Sequence, residues 1–331
     1  MGCINDAYNR PINYLRISVT DRCNLRCVYC MPPEGVEACR HADLLTYEEI
    51  ELVVRAAATL GLSKVRLTGG EPLVRAGFVE LVRKIAAVPG IDDLALTTNG
   101  ILLAAKAREL AAAGLRRVNV SLDTLRPERF ARLTGADALP RVLEGIAAAQ
   151  AAGLVPVKIN TVVVKGLNDD EVADIARTTL ERDWHVRFIE LMPLGESAAW
   201  ADQGYVPTSE IRAAVERLGE LRPADGASPA HGNGPARYFR LPGARGTVGF
   251  ISPVSEHFCF RCNRLRLTSD GRLRPCLLRD DEVDLREALR AGAGVDELVA
   301  LIAEAVRLKP EGHRLAEHAS PRGRTMSQIG G

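Results

Sequence analysis

Three cysteines, Cys23, Cys27 and Cys30, lie on one short stretch with the spacing C-x3-C-x2-C. Thiolates at this spacing on a tight loop can hold three corners of a cubane iron–sulfur cluster. No fourth cysteine follows at loop distance, so one iron atom of such a cluster has no protein ligand. An open iron can bind a small molecule and pass it an electron. The stretch therefore predicts reductive chemistry on a small ligand.

Two other interpretations of this stretch are a disulfide framework and a zinc site. A disulfide framework is disfavoured, because three cysteines are odd in number and nothing marks the chain as secreted. A zinc site stays open, since C-x2-C is also a zinc spacing. Zinc favours paired C-x2–4-C motifs, however, so the cluster is the preferred interpretation.

A second group of thiols, near the other end of the chain, has the spacing C-x2-C-x13-C and comprises Cys259, Cys262 and Cys276. It again offers three thiols and no fourth. His257 could complete a zinc site here, and that alternative stays open. Arg264 and Arg266 are two residues apart on a predicted strand and so share a face. Two guanidinium groups beside a metal predict an anionic substrate.

The chain has 331 residues, of which 47% are apolar, and a formal net charge of +1. This charge gives no electrostatic footprint for nucleic acid or a membrane surface, so neither is expected as a partner. We find no apolar run of membrane-spanning length and no apolar signal core at the start. Six of the eight cysteines fall into the two triplets. This usage is typical of metal binding in a reducing compartment, and we expect a cytoplasmic protein.

Strand-like and helix-like segments alternate between residues 14 and 192. The strand candidates are 14–20, 64–68, 94–99, 117–123, 155–163 and 186–192. The helix candidates are 48–60, 76–88, 101–113, 140–152 and 169–181. Six β/α units in a row predict a parallel sheet, either curled or open. The remaining chain predicts helices at 205–220, 283–290 and 295–308, strands at 237–241, 246–251 and 263–274, and a Gly- and Pro-rich loop at 222–235.

The predicted strands alternate apolar and polar side chains. Because the apolar faces must meet the helices, the polar faces point into the sheet's interior and carry Arg16, Arg66 and Lys158. An ordinary eight-stranded barrel fills its interior with apolar side chains. Three inward cations instead predict a wide lumen that binds a polyanion such as a triphosphate. The alternative is that some polar faces lie on open solvent.

The stretch Thr68-Gly69-Gly70-Glu71-Pro72 follows the second predicted strand, and its glycines let the backbone approach a ligand closely. This stretch and the first triplet, with Tyr29 just before the last cysteine, resemble the radical S-adenosylmethionine superfamily. The resemblance implies that the open iron binds S-adenosylmethionine. It places Tyr29 beside the adenine and Gly70 at the methionine moiety. The residues at matching places along the adenosine are Ser121 and Met192.

Both triplets, the sequence Asn263-Arg264-Leu265-Arg266 and the terminal Gly330-Gly331 resemble the GTP 3′,8-cyclase family of molybdenum-cofactor biosynthesis. The likeness runs from about residue 13 to 331. It implies two [4Fe-4S] clusters and conversion of GTP to (8S)-3′,8-cyclo-7,8-dihydroguanosine 5′-triphosphate. A 5′-deoxyadenosyl radical takes H3′ of GTP, and C3′ then attacks C8 of guanine. The implied GTP contacts are Arg16, Arg66, Thr97, Lys158, Arg264, Leu265 and Arg266.

The same resemblance implies roles for the second triplet and the tail. The open iron of the second cluster would meet the guanine edge. The implied catalytic residues are Arg264, Arg266, Gly330 and Gly331, with the tail inserted into the active site. Two other interpretations of the tail stay open: a frayed end, and a sulfur-carrier-like tail activated for conjugation.

The expected fold is α/β, an incomplete (β/α)6 TIM-type barrel with a C-terminal α+β extension that closes the barrel mouth. We expect a barrel with the first cluster over residues 1–200 and a subdomain with the second cluster and the tail over 201–331. The implied downstream partner is cyclic pyranopterin monophosphate synthase, the chain is expected as a monomer or homodimer, and the electron donor is left open. Two alternatives remain: another two-cluster radical S-adenosylmethionine maturase, and a zinc-stabilised nucleotide-binding protein.

Overall fold

The computed structural model describes residues 2–32, 34–35, 37, 39–194, 201–224, 234–315, 321 and 324–329. The first six strands are β1 (Tyr14–Ser18), β2 (Lys64–Thr68), β3 (Asp93–Thr98), β4 (Arg117–Ser121), β5 (Lys158–Val163) and β6 (His185–Glu190). They pair in chain order, and each pair is parallel. The predicted run of six strands is confirmed, with ends that shift by at most three residues.

Helices connect these strands: α1 (Tyr47–Thr59), α2 (Phe78–Ala86), α3 (Leu103–Ala112), α4 (Pro127–Thr134), α5 (Leu139–Ala151) and α6 (Val172–Glu181). The start of α1 is fixed by a capping box, in which Thr46 and Glu49 bond each other's backbone. The sequence interpretation missed α4. Two signals marked it, since Pro127 occupies its first turn and Gly135 ends it with a φ of +74°.

The remaining elements are α7 (Ala201–Gly204), α8 (Thr208–Glu216), β7 (Arg222–Pro223), β8 (Arg237–Arg240), β9 (Thr247–Ile251), β10 (Arg264–Leu267), β11 (Arg272–Arg274), β12 (Val283–Asp284), α9 (Arg286–Arg290), α10 (Val295–Arg307) and α11 (Met326–Ile329). One prediction is wrong: the segment 263–274 is not one strand. It is the antiparallel hairpin of β10 and β11, which turns at Gly271 with a φ of +86°. The predicted loop at 222–235 begins as β7, and its residues 225–233 lie outside the described residues.

The C-terminal strands join both edges of the first sheet. The strand β10 pairs in parallel with β1, and β9 pairs in parallel with β6. Within the described residues, twelve strands therefore form one sheet, in the order β12-β11-β10-β1-β2-β3-β4-β5-β6-β9-β8-β7. Its central eight strands run parallel, and the antiparallel hairpins lie at the two ends.

The two faces of the sheet differ as the alternation predicted. The odd-numbered apolar residues of β1, Leu15 and Ile17, are buried with the helices in one core. The opposite face carries Arg16 on β1 and Arg187 on β6, and both line the same cavity. Because strands five places apart in the order share this cavity, the sheet curls around it. No helix among the described residues is both long and apolar enough to cross a bilayer.

Candidate active site

Three arginines form a row across the floor of the cavity. In register, Arg66 on β2 faces Arg16 on β1, which in turn faces Arg266 on β10. Strand partners at one level point to the same face, and all three side chains line the cavity. Burial and the neighbouring Arg266 lower the pKa of Arg16 well below its ordinary value. Burial and Arg264 likewise lower the pKa of Arg266 to about 10.

Like charges packed this closely are unfavourable without an anion between them. The row continues in register to Arg274 on β11, which is only 1% exposed. The charge of Arg274 is already balanced, because its guanidinium binds the carboxylate of Glu282. In contrast, Nε of Arg264 is buried with no hydrogen-bond partner in the described part of the chain. This part of the cavity is therefore suited to a polyanionic ligand.

The sequence interpretation missed one cavity cation, Arg187 on β6. Its side chain is 6% exposed, lines the cavity, and has a buried Nε without a hydrogen-bond partner among the described residues. The alternation of β6 could have revealed it, since Arg187 lies between the inward His185 and Ile189. Burial, together with the charges of Arg187, Arg117 and Arg66, lowers the pKa of Lys158 to about 6. Lys158 thus lies within the electrostatic field of the cavity arginines, although it is not among the cavity-lining residues.

The second cysteine triplet lines the cavity. Cys259, Cys262 and Cys276 reach it from just before β10 and just after β11, alongside Arg264 and Arg266. Burial opposes ionisation of Cys262, but Arg264 and Lys309 outweigh it and lower the pKa of this thiol to about 6. Cys262 is therefore ready to act as a thiolate ligand.

No three His, Cys, Asp or Glu side chains within the described ranges surround one point closely enough to hold a single metal ion. A cubane attaches each thiolate to a different iron atom, so this finding concerns single ions such as zinc. All eight cysteines are free thiols. The donor set at each triplet, three free thiols, fits a cluster with one open iron.

The first triplet is gathered on the loop after β1. Burial, together with the charges of Cys23 and Asp123, raises the pKa of Cys30 to about 12. These thiols therefore lie close enough to repel one another as thiolates, which a bound iron cluster would relieve. The unpredicted helix α4 braces the loop, because the N–H of Arg26 donates to the carbonyl of Thr134 at 2.8 Å.

The Gly-Gly stretch packs directly against the start of that loop. A Cβ atom on Gly70 would lie 2.4 Å from the carbonyl oxygen of Arg22, and one on Gly69 would lie 2.3 Å from that of Thr20. Only glycine fits at these two positions. The next residue, Glu71, is fully buried and accepts hydrogen bonds from Thr98 Oγ1 at 2.8 Å and from the backbone N–H of Asn99 at 2.7 Å. The stretch is thereby fixed to the end of β3.

Tyr29 is fixed in the same way to the end of β4. Its hydroxyl donates to Asp123, whose other oxygen accepts from the N–H of Val162 at 2.8 Å. Burial raises the pKa of Asp123 to about 6. Ser121 ends β4 two residues earlier. These positions agree with an adenosine site over the strand ends, and the roles of Tyr29 and Ser121 stay predictions.

Of the residues predicted to bind ligands, the cavity brings together Arg16, Arg66, Thr97, Met192, Arg264 and Arg266. The cavity lining within the described residues does not include Tyr29, Gly70, Ser121 or Lys158. Leu265 is fully buried in the core, on the face opposite Arg264, so only its backbone is available to a ligand. Gly330 and Gly331 lie outside the described residues.

The two triplets lie at opposite ends of the lumen. The first follows the carboxyl end of β1. The second precedes the amino end of β10, which runs parallel to β1 with Tyr14 level with Arg264. The five residues of β1 rise about 3.3 Å each, which separates the two ends by roughly 15 Å. A ligand of nucleotide size spans such a length.

The tail is anchored beside this site. The guanidinium of Arg324 pairs with Asp270 at 3.0 Å and with Glu282 at 2.6 Å. Helix α11 follows and lies against β1, and its last residue, Ile329, is 1% exposed. The two ion pairs of Arg324 thus hold in place the segment that leads to the C-terminal residues.

Comparison with known proteins gives two family matches, the Radical SAM superfamily over residues 17–179 and Molybdenum Cofactor Synthesis C over residues 184–315. The chain is 59% identical over 329 residues to the GTP 3′,8-cyclase of Pelotomaculum thermopropionicum, covering 99% of this chain and 100% of that protein. It is 54% identical over 328 residues to the GTP 3′,8-cyclase of Moorella thermoacetica, with the same coverage.

Among solved structures, the chain is similar to Streptococcus suis SuiB bound to S-adenosylmethionine. The TM-score is 0.56 at 16% identity, over 80% of this chain and 60% of that chain. The same protein in a second crystal structure gives a TM-score of 0.57 at 16% identity, with the same coverage. At this identity the likeness concerns the fold alone.

Proposed function

This chain belongs to the GTP 3′,8-cyclase family, and from that premise we propose that it converts GTP to (8S)-3′,8-cyclo-7,8-dihydroguanosine 5′-triphosphate. It is a radical S-adenosylmethionine enzyme of the first step of molybdenum-cofactor biosynthesis. The observation that carries the proposal is the cavity, in which a cysteine triplet and a row of arginines face the same space.

The first cluster would be held by Cys23, Cys27 and Cys30, with S-adenosylmethionine on its open iron. When bound, this pair supplies a 5′-deoxyadenosyl radical. The chain's own contribution is placement. Gly70 offers a backbone surface without a side chain, and Tyr29 is held by Asp123 where it can flank the adenine. Met192 extends the contact surface from the strand ends into the cavity.

The triphosphate of GTP is the polyanion that the cavity requires. We assign it to the row of Arg66, Arg16 and Arg266, with Arg187 as an added contact. Its negative charge would relieve the repulsion within the row and supply acceptors for buried guanidinium groups. Lys158 lies in the same field and would gain a proton when the phosphates arrive, because an anion favours the charged form.

The guanine base would lie towards the second triplet. In this proposal Cys259, Cys262 and Cys276 would hold a second [4Fe-4S] cluster, which would supply an iron atom without a protein ligand on the side of the base. Arg264 and Arg266, which line the cavity beside these cysteines, would face the nucleotide there. Binding at both ends fixes C3′ and C8 of one molecule near each other and excludes water, which is what a radical ring closure needs.

The finer description of the fold is part of the proposal. A curled sheet of six β/α units corresponds to an incomplete (β/α)6 TIM-type barrel, and the C-terminal α+β region would close its mouth. We divide the chain at about residue 200, between the barrel and the region that carries the second triplet. The junction of β9 and β10 with the barrel strands supports a single active site built from both parts.

Gly330 and Gly331 would enter the active site from the tail anchored by Arg324. A segment without side chains suits a narrow channel. The product would be consumed by cyclic pyranopterin monophosphate synthase. A monomer or homodimer, a cytoplasmic location and an unassigned electron donor remain expectations of the sequence.

The test uses protein reconstituted without oxygen and incubated with GTP, S-adenosylmethionine and a low-potential reductant. GTP deuterated at C3′ should pass deuterium to 5′-deoxyadenosine. The nucleotide product is an isomer of GTP, because ring closure removes two hydrogens and the dihydro form restores two. Chromatography and fragmentation should reveal it. Deuterium-free 5′-deoxyadenosine with unchanged GTP would refute the assignment, and the Cys27→Ala variant is the blank.

A further inference from the structure

Lys309, a buried lysine that belongs to none of the sequence motifs, contacts the backbone of the segments that carry the second cysteine triplet. Lys309 follows α10 and is 3% exposed. Its Nζ donates to the carbonyl oxygen of Arg264 at 2.8 Å and to that of Pro275 at 2.7 Å. Arg264 lies two residues after Cys262, and Pro275 immediately precedes Cys276. One ammonium group therefore ties together the two segments that carry these cysteines.

A second buried cation, Arg10, provides a comparison. It is 4% exposed, and its Nη1 donates to the carbonyl oxygen of Cys259 at 2.7 Å. Its Nε pairs with the buried carboxylate of Asp6 at 2.6 Å. Arg10 thus positions Cys259, the remaining cysteine of the triplet, but the charge of Arg10 is already balanced within the protein.

Lys309 has no such balance. It pairs with no carboxylate in the part of the chain that the structure describes, and the groups near it that can carry negative charge are the thiols of Cys262 and Cys276. An unbalanced ammonium inside a protein is costly. A methionine or leucine would have filled this space at lower cost, so the charge itself indicates that an anion belongs beside it.

We propose that Lys309 is the countercharge and the positioning residue of the second cluster. A cubane held by three thiolates gains negative charge when it is reduced, and a buried cation beside it stabilises that form. The hydrogen bonds of Lys309 to two carbonyls also hold Cys262 and Cys276 at fixed positions. This inference rests on the proposed second cluster, and it adds a residue that sets the potential of that cluster.

The experiment uses the full chain with Cys23, Cys27 and Cys30 replaced by serine, so that only the second cluster gives a signal. Lys309→Met should lower the reduction potential in a titration followed by electron paramagnetic resonance, or lose iron on desalting. Lys309→Arg, which keeps the charge, should have a reduction potential and an iron content closer to those of the parent protein. Lys165→Met removes an exposed charge after β5 and should change neither quantity.

The outcomes separate this inference from the function. If Lys309→Met keeps its iron and the parent's potential, the countercharge role is refuted while the cyclase assignment stands. If the chain with both triplets intact binds only about four iron atoms, there is no second cluster, and both proposals fall. Should Lys309→Met not fold, Lys309→Gln keeps a donor without the charge, and an unchanged potential in that variant is equally decisive against the role.

Discussion

Arg16 on β1 and Arg266 on β10 are direct register partners, although they are 250 positions apart in a chain of 331 residues. Their side chains point into one cavity, and Arg66 extends the row on the other side of Arg16. Two parallel strands that begin at the same level bring about this contact. The cation cluster is therefore a property of how β10 docks against β1, and it exists only in the folded protein.

The row predicts that Arg266→Ala weakens GTP binding while both clusters persist. Loss of a hydrogen bond between charged groups costs about 1.5–3 kcal/mol, which is roughly a 10- to 100-fold loss of affinity. Equilibrium binding of GTP under nitrogen measures it, with iron content as the check on both clusters. Arg55→Ala, on the exposed face of α1, is the matched control. Unchanged affinity in Arg266→Ala would remove this residue from the site.

Lys158 predicts a pH dependence of GTP affinity. Its pKa is lowered to about 6 in the free protein, so it is mostly neutral above that pH. Phosphate binding raises the pKa, and each GTP bound then takes up a proton. The affinity should therefore fall as pH rises above about 6, until the pKa of the bound state is passed.

The measurement is best made above about pH 7.5, where the phosphates no longer titrate. Lys158→Met should flatten the slope and lower the affinity most at the acidic end of this range. A slope that survives the substitution would assign the proton to another group.

Cys27→Ala should abolish formation of 5′-deoxyadenosine, because two thiolates do not hold the first cluster in place. GTP binding should persist, since the cation row does not touch this loop. Chromatography of the S-adenosylmethionine products measures the first quantity, and a binding isotherm measures the second. Continued 5′-deoxyadenosine formation would contradict the assignment of this triplet.

Arg324→Ala should release the tail, because it removes the ion pairs with Asp270 and Glu282. We expect faster hydrogen exchange in residues 324–329 and a loss of cyclisation that approaches the loss on deleting Gly330-Gly331, with folding intact. Arg307→Ala is the control, as Arg307 pairs with Glu304 on the surface of α10. Normal turnover in the deletion variant would instead support a frayed tail without a role.

Much of this site is readable from local pattern. The two cysteine triplets and the Gly-Gly stretch are motifs of a few residues, and alternation within single strands already put Arg16, Arg66 and Lys158 on the inner face. The same alternation applied to β6 would have added Arg187. Local pattern also located six strands and most helices, since the apolar periodicity of a segment depends only on its own residues.

The sequence by itself determined which chemical groups are available. These are two cysteine triplets, cationic side chains on the inner face of the strands, and a Gly-Gly stretch whose backbone can approach a ligand closely. Only the tertiary structure decided which of these meet. It set Arg266 level with Arg16, put the second triplet but not the first on the cavity wall, and brought Lys309 to the carbonyls beside Cys262 and Cys276. The physical reason is that strand register and helix docking arise from contacts between distant segments, which no periodicity within one segment encodes.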